Sequence, residues 1–202
     1  MAQTVADRFP ASAIDDTLTI GPVSSWTLGP ENGTLILRTG VTGPAARMGH
    51  RLTLTMRTWT VTVDGPDDQP SSASVVIEVD SLQVESGEGG LTPLSAPEKI
   101  IVRSNALKTL NAKRFPLIEF HAATITKKAA NYRMHGPLTI HGVTQSVELD
   151  LAVTEDGDDQ LLHLTTEISQ RAYQVKPFSM AMGSLKVADL VTVSFEARRP
   201  AL

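Results

Sequence analysis

The sequence predicts a mainly β chain: a single extended antiparallel β-barrel of about eight strands with one principal α-helix. Three observations carry this. From Tyr132 to Val153, apolar and polar residues alternate on both sides of a short Gly-containing connection. Leu138 and Ile140 share one parity, then Val147, Leu149, Leu151 and Val153 follow, so two antiparallel strands each present one buried face. The same period of two recurs along most of the chain, and only the segment opening at Ser95 carries a helix start followed by helical spacing. A chain of 202 residues with 41% hydrophobic content can hold one barrel or sandwich with a folded core.

Composition removes several function classes. The formal net charge is −4, and no cluster of Lys and Arg is dense enough to track phosphates, which argues against nucleic acid as the partner. There is no Cys, so disulfide, thiolate and Cys-based zinc chemistry are excluded. The first residues lack a basic start followed by an apolar run, and no stretch reaches membrane-spanning length. If the sequence is the complete product, a cytoplasmic protein is expected.

In chain order, residues 1–16 have little periodicity and read as an N-terminal arm, with residues 17–202 forming one domain. Leu18–Ile20 could add to a sheet edge. Asn32-Gly33 marks a turn before a strand at Thr34–Thr39; the same residues begin an Asn-Gly-Thr sequon, for which no secretory signal speaks. Residues 42–49 form a connection with room for one helical turn. From Arg51 to Asp64, Leu52, Leu54 and Met56 have one parity whereas Trp59, Val61 and Val63 have the other, so a bend or bulge is expected near Arg57–Thr58.

Residues 65–72 read as an exposed turn, Ser74–Asp80 as a strand, and the acidic, Gly-rich residues 85–90 as a loop. Ser95 with Glu98 three residues later and Pro97 in the first turn is a helix start, and Ile100, Leu107 and Leu110 fall close to one helical face. Pro116 separates that helix from a strand at Leu117–Thr126. Residues 155–159 form a turn whose acids do not have EF-hand spacing. Leu161–Ile168 and Leu190–Ala197 are further strands, and between them Phe178, Met180 and Met182 alternate with Ser179 and Ala181.

Chemistry-bearing patterns are sparse. His135 and His141 share strand parity but lie about 20 Å apart on an extended strand, too far to share an ion. His50 and His121 could meet only through tertiary structure. There is no His-Glu-x-x-His and no Gly-x-Ser-x-Gly nucleophile elbow. The paired acids Asp15-Asp16 and Asp67-Asp68 sit in turn-like segments where solvation accounts for them. No catalytic set, metal site or cofactor is expected. The conspicuous material is apolar and strand-borne: Leu52, Leu54, Met56, Trp59, Ile118, Phe120, Leu138, Ile140, Phe178, Met180 and Met182. Periodicity leaves open whether these fill a core or line a ligand channel.

A family likeness bears on that choice. Gly49-His50 precedes a strand containing Trp59, then come Val79-Asp80-Ser81-Leu82 and the segment after Ser95. Residues 114–120 (Arg-Phe-Pro-Leu-Ile-Glu-Phe), 136–144 (Gly-Pro-Leu-Thr-Ile-His-Gly-Val-Thr), Lys176-Pro177-Phe178 and 183–189 (Gly-Ser-Leu-Lys-Val-Ala-Asp) follow in order. From about Gly33 to Pro200 the chain resembles the YceI-like polyisoprenoid-binding family. The likeness implies an elongated lipocalin-like barrel whose hydrophobic channel, lined by the eleven apolar residues above, holds a polyprenyl or quinone-like lipid. A segment that reads Arg-x-Asp-Phe-Gly in the family stands here as Arg171-Ala172-Tyr173-Gln174-Val175, without the Asp and Gly. Many members are exported, so a periplasmic or secreted location is the alternative to the cytoplasm.

Three functions compete. The first is non-catalytic binding, storage or transport of an isoprenoid lipid, with a homodimer compatible. The second is an enzyme on a lipid-like substrate, using His50, His121 or an acid at the barrel mouth. The third is a ligand-free structural or stress-associated barrel.

Overall fold

The computed structural model describes residues 25–66 and 69–201. The arm at 1–16, the segment Leu18–Ile20 and the acidic pairs at 15–16 and 67–68 lie outside them. Chain order is β1 (Ser25–Leu28), β2 (Gly33–Thr42), β3 (His50–Met56), β4 (Trp59–Asp64), β5 (Ser72–Glu78), β6 (Leu82–Gly89) and α1 (Ala96–Thr109). Then follow β7 (Leu117–Ala122), β8 (Thr124–Lys128), β9 (Asn131–Ile140), β10 (Val143–Asp156), β11 (Asp159–Ser169), β12 (Ser179–Met180) and β13 (Leu185–Pro200). All pairings are antiparallel along the path β1-β4-β5-β7-β9-β10-β11-β13-β2-β3-β6, with β8 on β9 and β12 on β13. The fold class agrees with the prediction. The strands are more numerous than expected because bends divide the long alternating runs and because short strands such as β1 and β12 carry little alternation.

Two corners curl this sheet around a central space. The first is the β9–β10 hairpin and its continuation. Val143 faces Ile140 across a two-residue turn, His141-Gly142, whose φ values of 54° and 74° are those of the tight hairpin turn that matches strand twist. From Val143 to Leu151, β10 pairs with β9, and from Ala152 onward it pairs with β11, so one strand serves both halves of the sheet. The second corner is Arg57–Thr58. Met56 ends a strand paired with β2 and β6, and Trp59 begins one paired with β1 and β5. The parity switch read from the sequence keeps Leu54, Met56 and Trp59 all inward, each at most 5% exposed. Arg57 N–H donates to the Ser81 carbonyl at 3.2 Å and Glu78 N–H to the Thr58 carbonyl at 3.0 Å, pinning the bend.

Two local expectations differ from the structure. Residues 85–89 are not a loop but the second half of β6, hydrogen-bonded to β3. Their composition hides this: Gly87 lies where a Cβ would come within 3.0 Å of the His50 Cβ, so the glycine serves close approach rather than a turn. Similarly, Gly33 opens β2 where a Cβ would stand 2.0 Å from the Glu196 carbonyl oxygen, and the turn itself is made by residues 29–32, closed by Asn32 N–H to the Gly29 carbonyl at 2.9 Å.

The helix starts where predicted. The Glu98 carboxylate accepts from the Ser95 backbone N–H at 2.7 Å and from its hydroxyl at 2.6 Å. Of the expected packing face, Leu107 and Leu110 rest on the core and Leu110 also lines the central space, whereas Ile100 points to solvent. Residues 98, 101, 102, 105, 106 and 109, spaced at three and four, face the central space together with Leu110. Arg103 clamps the helix to β6 and the preceding turn, donating to the Leu82 carbonyl at 2.7 Å and to the Asp80 carboxylate at 3.0 Å.

Candidate functional site

The central space is a cavity of about 730 Å³. Its wall is assembled by cross-strand neighbours: Leu35 is paired with Met56 and Phe195, and Leu37 with Leu54 and Val193. Along β2 the lining takes Leu35, Leu37, Thr39 and Val41, which at about 3.4 Å per residue makes the channel roughly 20 Å long in this direction. Nearly all of the wall is aliphatic, aromatic or Met. Polar side chains that reach it include Thr39, Thr166, and Asn105 and Thr109 of α1, and, at the end near β3's start, His50, Glu98 of α1, Gln170 and Lys186.

At the opposite, corner end the channel closes on a packed floor, whose residues bound the cavity on one side and one another on the other. Leu28, Leu35, Leu54, Met56, Trp59, Leu82, Leu162 and Ala197 form one packed cluster, with Trp59 edge-on to Phe195 at 5.4 Å between ring centres. Arg199 is buried beside it, its guanidinium 4.3 Å from the Trp26 ring centre and its Nε donating to the Gln160 side-chain oxygen at 3.0 Å.

Of the predicted channel residues, Leu52, Leu54 and Met56 on β3, Trp59 on β4, Ile118 and Phe120 on β7, and Leu138 and Ile140 on β9 all line the cavity. Phe178 and Met180 reach it near the mouth. Met182, expected in the wall, does not: β12 ends after two residues, Ala181 and Met182 turn through left-handed backbone (φ 49° and 50°), and the Met182 side chain is fully exposed. The turn breaks the alternation that had put Met182 on the face of Met180.

Residues that periodicity did not single out supply much of the remaining wall. Leu37, Leu164, Ile168, Val193 and Phe195 come from segments that the sequence marks as strands but not as wall, and Trp26 from β1, which carries little alternation. Tyr173 and Val175, 3% and 2% exposed, come from an irregular strap after β11. The strap is anchored by Asp189, whose carboxylate accepts from the Ser169 hydroxyl at 2.7 Å and the Arg171 backbone N–H at 2.9 Å. These bonds, the hydroxyl's first, hold Asp189 below the usual carboxylate range. Burial pushes the Tyr173 phenol up, and among the described residues its hydroxyl has no hydrogen-bond partner. Glu98 at the mouth is likewise lowered, chiefly by the Ser95 hydroxyl.

The histidines are dispersed. His50 Nε2 lies 2.8 Å from the Thr92 carbonyl at the mouth, whereas His121 pairs with the Ser74 hydroxyl at 3.0 Å next to inward Phe120 and Ala122. His135 lies 2.9 Å from the Ser146 hydroxyl, and His141 stacks edge-on against Phe115. Among the described residues no three His, Asp or Glu side chains gather into a metal site. No described helix is long and apolar enough to cross a membrane.

Comparison with known proteins places this architecture. Among solved structures, Burkholderia cenocepacia BcnA matches with a TM-score of 0.61 at 18% identity, over 83% of this chain and 96% of that one. A mutant of the Campylobacter jejuni YCEI protein matches with a TM-score of 0.50 at 13% identity, over 100% and 99% of the two chains. At such identities the likeness is one of fold. No curated protein matches the chain. The sequence profile of the YceI-like domain matches residues 26–198, from the Trp26 wall residue to Arg198 beside the corner. The chain belongs to the YceI-like family.

Proposed function

We propose that the protein binds a single isoprenoid lipid, of the polyprenyl or quinone type, inside the barrel and stores or carries it without a chemical step. The observation that carries this reading is the cavity itself. Protein interiors have few voids larger than a water molecule, and 730 Å³ lies within the range of ligand pockets. Water gains little from such a wall, because an ordered water needs two to four polar partners. A flexible, methyl-rich chain gains contact along the whole channel, with Met56 and Met180 able to adapt to its branches. The polar residues at the mouth leave room for a head group outside the apolar stretch. Membership of the YceI-like family, whose likeness implies a polyisoprenoid guest, supports the same class of ligand.

The test is organic extraction of purified protein followed by mass spectrometry. A prenyl lipid recovered in near-stoichiometric amount is expected. Protein that remains empty when incubated with polyprenyl and quinone lipids, or that converts them to product, would overturn the reading.

A further inference from the structure

The mouth of the channel has a rim unlike the rest of the surface. Met48, Leu91, Ile100, Ile101, Met180 and Met182 are large apolar side chains between half and fully exposed, and all come from segments around this opening. The structure holds these segments together. Ala45 N–H donates to the Ser184 carbonyl at 2.9 Å, and a Cβ on Gly49 would lie 2.6 Å from Leu185, so residues 43–50 rest on residues 183–186. His50 bonds to the Thr92 carbonyl and so joins that lip to the loop bearing Leu91, which leads into α1 with Ile100 and Ile101.

Charge is distributed with the same bias. Residues 40–50 and 172–188 contain exposed Arg47, Lys176 and Lys186 and no Asp or Glu, although the whole chain has a net charge of −4. On the facing lip the Glu98 carboxylate keeps its charge under the Ser95 hydrogen bonds and Glu88 lies opposite Arg51 at 4.0 Å, so the cationic bias belongs to the lip made by residues 40–50 and 172–188. A cationic, methionine-bearing lip beside an apolar channel complements one kind of surface: anionic head groups over acyl chains.

We propose that this rim docks the protein on an anionic phospholipid bilayer, with Met48, Met180 and Met182 at the head-group–acyl boundary and the three cations against the phosphates. This rests on the reading of the cavity as a lipid site. Docking would let a guest chain pass from bilayer to channel without crossing water.

The experiment is flotation of the full chain with phosphatidylcholine vesicles made with and without phosphatidylglycerol, at low and high salt, beside quinone binding in vesicle-free buffer. The double variant Met182→Glu with Arg47→Glu alters two rim residues that do not line the cavity. Expected are vesicle binding that requires phosphatidylglycerol, weakens with salt, and falls about tenfold or more in the variant, while the variant's quinone affinity is unchanged. Wild-type protein that ignores vesicles, binds them no better than the variant does, or self-associates through the rim in their place would overturn docking. Vesicle binding without quinone binding would instead overturn the carrier reading and leave docking standing.

Discussion

At the corner end of the barrel, Leu28, Met56, Trp59 and Leu82 are each at most 4% exposed and pack against one another. At the mouth, α1 has no buried residue: Glu98, Ile101, Val102 and Asn105 border open volume, and only its far end, at Ala106, Leu107 and Leu110, reaches the packed cluster. Both ends are made from the same period-two alternation, often on the same strand. β2 contributes Leu35 to the packed cluster and Val41 to the mouth. The difference lies in what faces each side chain across the barrel. Trp26, Trp59, Phe195 and Arg199 fill the corner, whereas the mouth is faced by polar helix residues such as Glu98 and Asn105.

Substitution should separate the two regions most clearly. Leu82→Ala at the corner removes a side chain that is 1% exposed, and a loss of about 2–5 kcal/mol is expected in urea unfolding. Leu37→Ala in the channel wall, one side of which already faces empty space, should cost clearly less, about 1–2 kcal/mol. Equal losses would contradict the distinction. Enlargement sharpens it in the other direction. Leu37→Trp in a well-packed core would cost about 1–3 kcal/mol; here the ring enters free volume, so stability should stay near wild type while quinone binding falls. A large destabilisation would place Leu37 in a filled core.

The Ser95 cap fixes the helix that walls the mouth, so Ser95→Ala should lower stability by about 0.5–2 kcal/mol, read from the same unfolding curves. Unchanged stability would mean that Arg103 alone holds the helix.

The smallest effect is with pH. Glu98 and Asp189 are both lowered in the folded protein by hydrogen bonds at the mouth, to Ser95 for one and to Ser169 and Arg171 for the other. A lowered folded pKa means a contribution complete above the unfolded carboxylate value of about 4 and lost as pH falls through the folded one. Thermal unfolding should therefore show a drop in stability on the acid side, and Asp189→Asn should make that drop shallower. An identical acid profile in the variant would remove Asp189 from the account.

Much of this fold was legible residue by residue. The hairpin around His141-Gly142, the parity switch at Arg57–Thr58 and the helix start at Ser95 are local signals, fixed by backbone geometry within a few residues. Ten of the eleven proposed wall residues line the cavity for the same reason: alternation sets the face, and a curled sheet has one inside. What was not legible depends on partners distant in sequence. Gly87 and Gly33 looked like loop and turn residues because the strand that crowds each of them is elsewhere in the chain. Tyr173 and Val175 lie in a strap without periodicity, and Met182 falls past a turn that two left-handed residues create. Whether the barrel is hollow follows from the balance of side-chain volume against sheet curvature, which no single strand encodes.

The central claim is that the open region is a channel for an apolar chain, and a delipidated protein tests it directly against quinones of increasing isoprenoid tail, each kept below its aggregation concentration. Each buried methylene contributes on the order of 0.8 kcal/mol, partly offset by ordering of the chain. Affinity should therefore climb steeply with tail length and level off once the roughly 20 Å channel is full. Affinity that ignores the tail and follows the head group would contradict the account.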